Sequence, residues 1–551
     1  MKGSRKVLSI ATTAAVAAVF VGLWYYLLLP ALTPASPGFW WFLTLAAATF
    51  AVVESIKFAI SCGYLDDEEE SFHGSLTFWS WVATGGLVVV ITILAIISSN
   101  VWHAGSAYKV AEVEKAEISI SEAFADLAEA ENQMDLPLVD LNTAITLGDK
   151  KMAALENAPW YDVSDEYNLI KYQGRYYRLS EIDYAGLFKY NKANTAGIPG
   201  YVLVDCTPEN GVVTQSATLV ELEKPIRYSP GAYWGEDLMR HLRFQYPCYM
   251  FDSPFLEIDE EGTPYWITGV KRPTCGVWAV ATVRSFILTN AQTGESAEFS
   301  VKEAPEWVDH VFSLDYLMEI ADWHYSYRDG WWNAHFGQTG VWKTSYNYRS
   351  TRSSKEDGDF ANFYGYSSTV VNGEVVFYTG LTASNKAESN LGWLTIDIST
   401  GKMTEYSVIG AEESSAQAAV EQLVAAQRYQ ATFPLPANIG GEASYIMCLK
   451  GNAGLVQGYA ICNVENFSIA VQAATLPEAV DLYLAKLGQA PTDSSTPITT
   501  PSTTDADVLA RPSVPLDMEH VVETYSVDIN GTTQYYYVME DGSLYCVVKI
   551  K

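Results

Sequence analysis

LTFWSWVATGGLVVVITILAIIS, residues 76 to 98, is the last of three long apolar runs, and it divides the chain in two. Before it come VLSIATTAAVAAVFVGLWYYLLL (Val7–Leu29) and FWWFLTLAAATFAVVESIKFAI (Phe39–Ile60). Each run reaches the roughly 20 residues that a helix needs to cross a bilayer core. No comparable run follows in the 551 residues, so everything after residue 100 reads as water-soluble. The expectation is a transmembrane region over 1–100 that carries a large region on one side of the membrane.

Lys2, Arg5 and Lys6 precede the first run. Positive charge stays cytoplasmic, which predicts an N-terminus inside and, after three spans, a C-terminal region outside. The aromatic triplets at Trp24–Tyr26 and Phe39–Trp41 would then lie at the outer interface. The loop CGYLDDEEESFHG (62–74) is acidic, and acidic residues weigh little in this rule. Glu54 and Lys57 lie three apart inside the second run. We read them as a pair near the cytoplasmic end with Lys57 snorkelling outward. The alternative is an intramembrane ion or proton site.

Formal charge is −31, yet only 18% of residues are charged. An acidic chain without clustered Lys and Arg is a poor non-specific nucleic-acid binder, so nucleic acid is not expected as a partner. Six of the seven cysteines follow the third run and none forms a CxxC, which argues against a zinc knuckle. Disulfides and small buried thiols both remain open for them. HExxH, GxSxG and Walker A patterns are absent, and neither a cofactor nor a metal is implied.

Residues 101–158 read as a helical stalk. Ile120, Phe124, Leu127 and Ala128 form a stripe, Ser119 and Glu122 a capping box, and Pro137 a break. From about Tyr161 the period becomes two, which predicts a β-rich part over 159–345 and an α+β part over 346–488. Hairpins are expected in YVLVDCTPENGVVTQSATLVE from Tyr201, FLEIDEEGTPYWI from Phe255 and STVVNGEVVFYTG from Ser368. Asn372-Gly373 is the strongest turn signal among them. FILTNAQTGESAEFSV (286–301) aligns without gaps on WLTIDISTGKMTEYSV (393–408), which marks a repeated structural unit. Helices are expected after Ser414 and after Thr475. Residues 489–515, rich in Pro, Ser and Thr, read as a linker. Residues 516–551 read as a three-stranded meander, too small to be stable alone and so expected to dock on its own body or on a partner.

The order of strands and helices around 286–301 and 393–488 resembles PepSY-type modules, small extracytoplasmic α+β domains. Phrases such as EWVDHVFSLD, WWNAHFGQ, GAEESSAQAA and ATFPLPANI resemble uncharacterised large membrane-anchored proteins of Gram-positive bacteria. The resemblance implies an envelope location and transfers no activity.

DWHYSYRDGWWNAHFGQTG (322–340) carries the densest chemistry. Trp323, His324, Tyr327, Asp329, Trp331, Trp332, Asn333 and His335 could line a ligand site, with flat rings beside hydrogen-bonding groups. Two His with Asp322 and Asp329 could in principle meet a metal, but their spacing fits no ligand pattern. The plainer reading is an aromatic structural cluster, with a turn at Asp329-Gly330 flanked by strands. Arg227, Arg240, His241 and Arg243, near Lys224, form a basic island that would either meet an anionic wall polymer or headgroup or pair with local carboxylates.

These readings converge on an α+β, membrane-anchored, non-enzymatic interaction or scaffold protein of the bacterial envelope. Its partners would be the lipid bilayer and an envelope protein or cell-wall polymer. The rivals are a wall hydrolase using Asp322 and Asp329, and a sensor with a separate output partner.

Overall fold

The computed structural model describes residues 2–61, 67–129, 136–346 and 365–489, except 154, 156, 385–388 and 409, and three strands between 521 and 548. Residues 62–66 of the acidic loop and 490–515 of the expected linker lie outside the described residues. Three helices open the chain: Lys2–Leu28, Pro37–Ser61 and Asp67–Ile97. All three are long and apolar enough to cross a membrane. The body that follows mixes helices with sheets, and two compact units divide the chain at residues 492 and 493.

The stalk does not form as a continuous helix. Asn100–Ala107 is helical, with the Ser99 hydroxyl accepting from the Val101 amide at 3.2 Å. The chain then extends, and Val113–Lys115 joins a seven-stranded sheet as the parallel neighbour of Met403–Tyr406. Among the described residues of the expected stripe only Ile120–Ala123 turns, and a separate helix, Leu141–Met152, follows Pro137. The apolar stripe goes elsewhere: Phe124 lies 5.8 Å from the Trp393 ring and 5.5 Å from Tyr406, and both Phe124 and Leu127 are buried. A stripe of this kind is satisfied by any partner surface, and here a sheet edge supplies backbone hydrogen bonds as well.

The first unit contains four main sheets. Residues 161–226 and 250–300 form two five-stranded sheets, and residues 430–473 form a third. The seven-stranded sheet draws on 113–115 and on 342–411. Apolar residues from Ala111 to Leu484 share one core cluster. In the hairpin Ser367–Val371/Glu374–Ala383, Asn372 and Gly373 take φ of 53° and 82°, the pair of left-handed residues that a tight two-residue turn requires. Helices Glu413–Leu423 and Leu476–Leu487 bury Ala416, Val420, Val480 and Tyr483 against the third five-stranded sheet.

The two repeat copies are equivalent turns between antiparallel strands. In one, Asn290 Oδ1 accepts from the Gln292 and Thr293 amides, both at 2.9 Å, and Gly294 has φ 75°. In the other, Asp397 Oδ1 accepts from Ser399 and Thr400 at 2.9 and 3.1 Å, and Gly401 has φ 74°. The aspartate or asparagine organises the turn and glycine closes it.

In the second unit, Val521–Ile529, Thr532–Met539 and Leu544–Val548 pair antiparallel in chain order.

Candidate functional site

The aromatic stretch is helical, and the expected strands on either side of Asp329-Gly330 do not form. Helix Leu314–Tyr327 is capped by Ser313, whose hydroxyl accepts from the Tyr316 amide at 3.2 Å. Tyr316, Leu317, Ile320, Ala321 and Tyr325 bury one face. Gly330, with φ 85°, redirects the chain into a single turn, Gly330–Trp332, and a wider π turn, Asn333–Gly337. Leu317, Ile320, Ala321 and Tyr325 follow helical spacing, which outweighs the strand preference of the aromatic residues.

The predicted residues divide between two places. Trp323, Tyr327 and His335 line an open groove of about 670 Å³ with Asp315, Glu319 and Lys343. Burial pushes the Glu319 carboxyl up, with Lys271 pulling the other way. His324 instead stacks on Tyr108 at 4.6 Å, its Nδ1 3.2 Å from the Tyr108 carbonyl. Burial holds its imidazole below the usual range. Trp331 stacks on His335 at 4.1 Å and Trp332 on Phe336 at 5.6 Å. Asn333 closes the π turn by bonding Thr339 in both directions, at 2.9 and 3.2 Å. Asp329 is exposed and pairs with Arg328 at 3.7 Å.

Asp322 lines the same groove, and Thr344 holds one of its carboxylate oxygens. Asp322 is buried, and its Oδ1 accepts from both the amide and the hydroxyl of Thr344 at 3.0 Å. Among the described residues no group of three His, Cys, Asp or Glu could hold a metal ion.

The basic island turns out to be a clasp on the first apolar helix. Its four side chains all bond protein acceptors. Helix Leu238–Gln245, capped by Asp237, presents Arg240 and Arg243 three residues apart. Arg240 Nε donates to the Tyr26 carbonyl at 3.2 Å, and its guanidinium lies 4.4 Å from the Tyr26 ring centre. Arg243 Nε donates to the Leu29 carbonyl at 2.9 Å. These are the carbonyls that a helix leaves unpaired at its C-terminal end, where positive charge is also favoured. Arg243 Nη1 continues to the carbonyls of Tyr246, Pro247 and Tyr249, and the Leu32 amide donates to Pro247 O at 2.7 Å. Arg227 pairs with Glu236, and His241 Nε2 donates to Gly294 O at 2.7 Å. On the other side, the Trp278 amide donates to Ser98 Oγ and its indole to Pro34 O, both at 3.2 Å.

A third site lies within the apolar helices. Glu54 is 0% exposed. Its carboxylate accepts from Thr13 Oγ1 at 2.6 Å and lies 2.5 Å from His73 Nδ1. Lys57, four residues before the helix ends, is partly exposed and pairs with Glu54. Its ammonium donates to Ser9 O at 2.7 Å and to Thr13 Oγ1 at 3.1 Å, and it lies 3.8 Å from Glu54. Ser9 Oγ meets His73 Nε2 at 3.3 Å, so the network joins all three helices. Sequence reasoning found Glu54 and Lys57 but missed His73. The third helix begins nine residues before the apolar run at Leu76, which left His73 looking like part of a loop.

Among the described residues five cysteines are free thiols, of which Cys206, Cys448 and Cys462 are buried. Burial pushes the Cys206 and Cys462 thiols up to about 12. Such thiols behave as small hydrophobes, not as nucleophiles.

No family model, no curated protein and no solved structure matches this chain.

Proposed function

We propose that this chain is an extracytoplasmic interaction or scaffold protein of the bacterial cell envelope, without catalysis of its own. Three N-terminal spans hold it, its N-terminus is cytoplasmic, and its β-hairpin-rich body contains PepSY-like modules. The observation that carries the reading is the clasp. Arg240, Arg243 and Trp278 join the body to the loop and helix ends at one side of the apolar helices. A body held this way presents its sheets in a fixed attitude to the membrane, as a platform must. The tethered three-stranded unit adds a second surface for an envelope protein or wall polymer.

Protease treatment of intact cells or protoplasts, with a tag after Lys551, tests the orientation. Release of the tag with cytoplasmic controls intact is expected, and protection until lysis would invert the topology. Pull-down from envelope extract with the detergent-solubilised full chain tests the scaffold role. Recovery of no envelope protein and no wall polymer would count against it.

The hydrolase reading loses support from Asp322, whose carboxylate is buried on Thr344. The sensor reading gains one observation, the buried Glu54–His73–Lys57 network, because ionisable groups inside a membrane are costly and usually functional. Co-purification of a membrane partner that disappears in Glu54→Gln would favour it.

A further inference from the structure

Trp102, Trp332 and Phe336 are 68%, 66% and 73% exposed. Grouped large aromatic side chains on a surface mark a contact. Their place in the fold identifies it. Helix Asn100–Ala107 begins only three residues after the third apolar helix ends at Ile97. That step covers about 5 Å at helical rise and no more than about 10 Å fully extended. The headgroup layer on each side of a bilayer core is roughly 5–8 Å thick. If the third helix spans the membrane, Asn100 and Trp102 lie in that layer or at its edge.

The aromatic helix Leu314–Tyr327 runs down to the same level. His324 stacks on Tyr108, just past the far end of Asn100–Ala107, while the Tyr327 hydroxyl lies 3.5 Å from Asn100 Nδ2 at the near end. Its C-terminus therefore points toward the bilayer, and the chain has yet to turn. It turns at Gly330, and the turn Gly330–Trp332 packs on Asn100–Ala107. The Trp332 and Phe336 rings then stack at 23° into one apolar plate. Arg328 and Asp329 beside it pair at 3.7 Å and so bring no net charge.

We propose that the segment Arg328–Gln338, together with Trp102, is an interfacial lipid anchor. It places Trp332 and Phe336 among the phospholipid headgroups of the bilayer that the three helices cross. Amphipathic rings with polar neighbours such as Asn333 and His335 suit that layer, where an aromatic plate can be buried while amide and imidazole groups stay hydrated. The body then touches lipid directly at this segment, besides being clasped at Arg240 and Arg243. The exposed rings of the stretch thus gain a role that neither a glycan site nor a buried core accounts for.

The inference rests on the reading of the apolar helices as membrane spans, and one experiment separates the two. The full chain is reconstituted in nanodiscs of phosphatidylethanolamine and phosphatidylglycerol containing a phospholipid with a photoreactive diazirine near its headgroup. Adducts are mapped by mass spectrometry. Peptides covering 328–338 and Trp102 are expected to carry lipid adducts, and Phe467, exposed in the loop before strand Ala470–Ala473, is not. The double variant W332Q/F336Q, at two exposed positions that need not disturb the core, should lose at least threefold of the labelling in 328–338. Labelled spans with an unlabelled 328–338 segment would overturn the anchor alone. Protein cross-links at this segment in place of lipid adducts would also overturn it, because a second copy or another protein would then cover the face. Absence of adducts on the spans themselves would remove the membrane reading beneath it.

Discussion

Arg243→Met is the most informative single change in the clasp. Methionine keeps the length of the apolar stem and removes the guanidinium fork. The Arg243 side chain is 6% exposed, and it donates to Leu29 O on the first apolar helix and to Tyr246, Pro247 and Tyr249 carbonyls on the body. The bonds to Leu29 and Tyr249 are short, and those to Tyr246 and Pro247 are long at 3.3 and 3.4 Å. A hydrogen bond from a charged donor contributes about 1.5–3 kcal/mol net. Two good bonds therefore place the loss near 3–5 kcal/mol, the range found when one member of a buried charged contact is removed. That is too little to unfold a body of this size outright, but it is enough to release the loop locally. The Leu32 amide, bonded to Pro247 O at 2.7 Å, reports on that release. Its hydrogen exchange in nanodiscs should accelerate by two to three orders of magnitude, since each tenfold corresponds to about 1.4 kcal/mol. Arg243→Lys should fall between the two, because a single ammonium cannot reach both sides at once. Exchange of the 29–36 peptide within tenfold of the parent would refute the reasoning, and the body would then be held to the helices by something else.

Four further outcomes follow from the same geometry. Asp322→Ala should destabilise the body by about 2–4 kcal/mol in urea unfolding, because the buried Thr344 amide and hydroxyl lose their acceptor, whereas Asp329→Ala should change it by less than about 0.5 kcal/mol. Burial pushes the carboxyls of Asp183 and Asp309 up to about 6 and that of Glu181 up to about 8, so the native body holds protons that the unfolded chain releases near pH 4. Their contribution is full below pH 4 and is lost as pH rises through 6 and 8. Buried His310, held down to about 4, works in the opposite direction only up to about pH 6.5. The urea midpoint should therefore fall between pH 6.5 and 8, and Glu181→Gln should flatten that fall. Gly294→Ala should be more damaging than Gly441→Ala, although both have positive φ, because a Cβ at 294 would meet the Tyr228 ring at 2.5 Å and one at 441 meets nothing; paired thermal melts decide this. His73→Ala should loosen the three apolar helices by about 1 kcal/mol, read as earlier loss of helicity on heating in detergent, because Glu54 loses its 2.5 Å partner.

Local chemistry was readable where neighbours in sequence are also neighbours in space. The three apolar runs needed only length and composition, because a bilayer-crossing helix satisfies its own backbone. The Asn372-Gly373 turn and the two Thr-Gly turns needed only their own side chains and glycines, and their strands pair across them. Helix Leu476–Leu487 carries its start in Thr475 and its stop in Gly488, whose φ is 77°. What the sequence by itself determined, then, is the order of apolar helices, turns and caps.

Tertiary structure decided everything that depends on which surfaces meet. The stripe of Phe124 and Leu127 fits a helix face or a sheet gap equally well, and only the presence of Trp393 and Tyr406 chose the gap. Arg240 and Arg243 look like a free basic patch until the end of the first helix, more than 200 residues earlier, supplies their carbonyls. Glu54, Lys57 and His73 look like one pair and one loop residue until three helices pack together, burying Glu54 and His73 and joining all three in one network. Aromatic rings at 322–340 carry no label for core, ligand or lipid, because their chemistry suits all three. The direction of helix Leu314–Tyr327 is fixed by Tyr108 and Asn100, more than 200 residues earlier, and that decides which of these rings stay exposed.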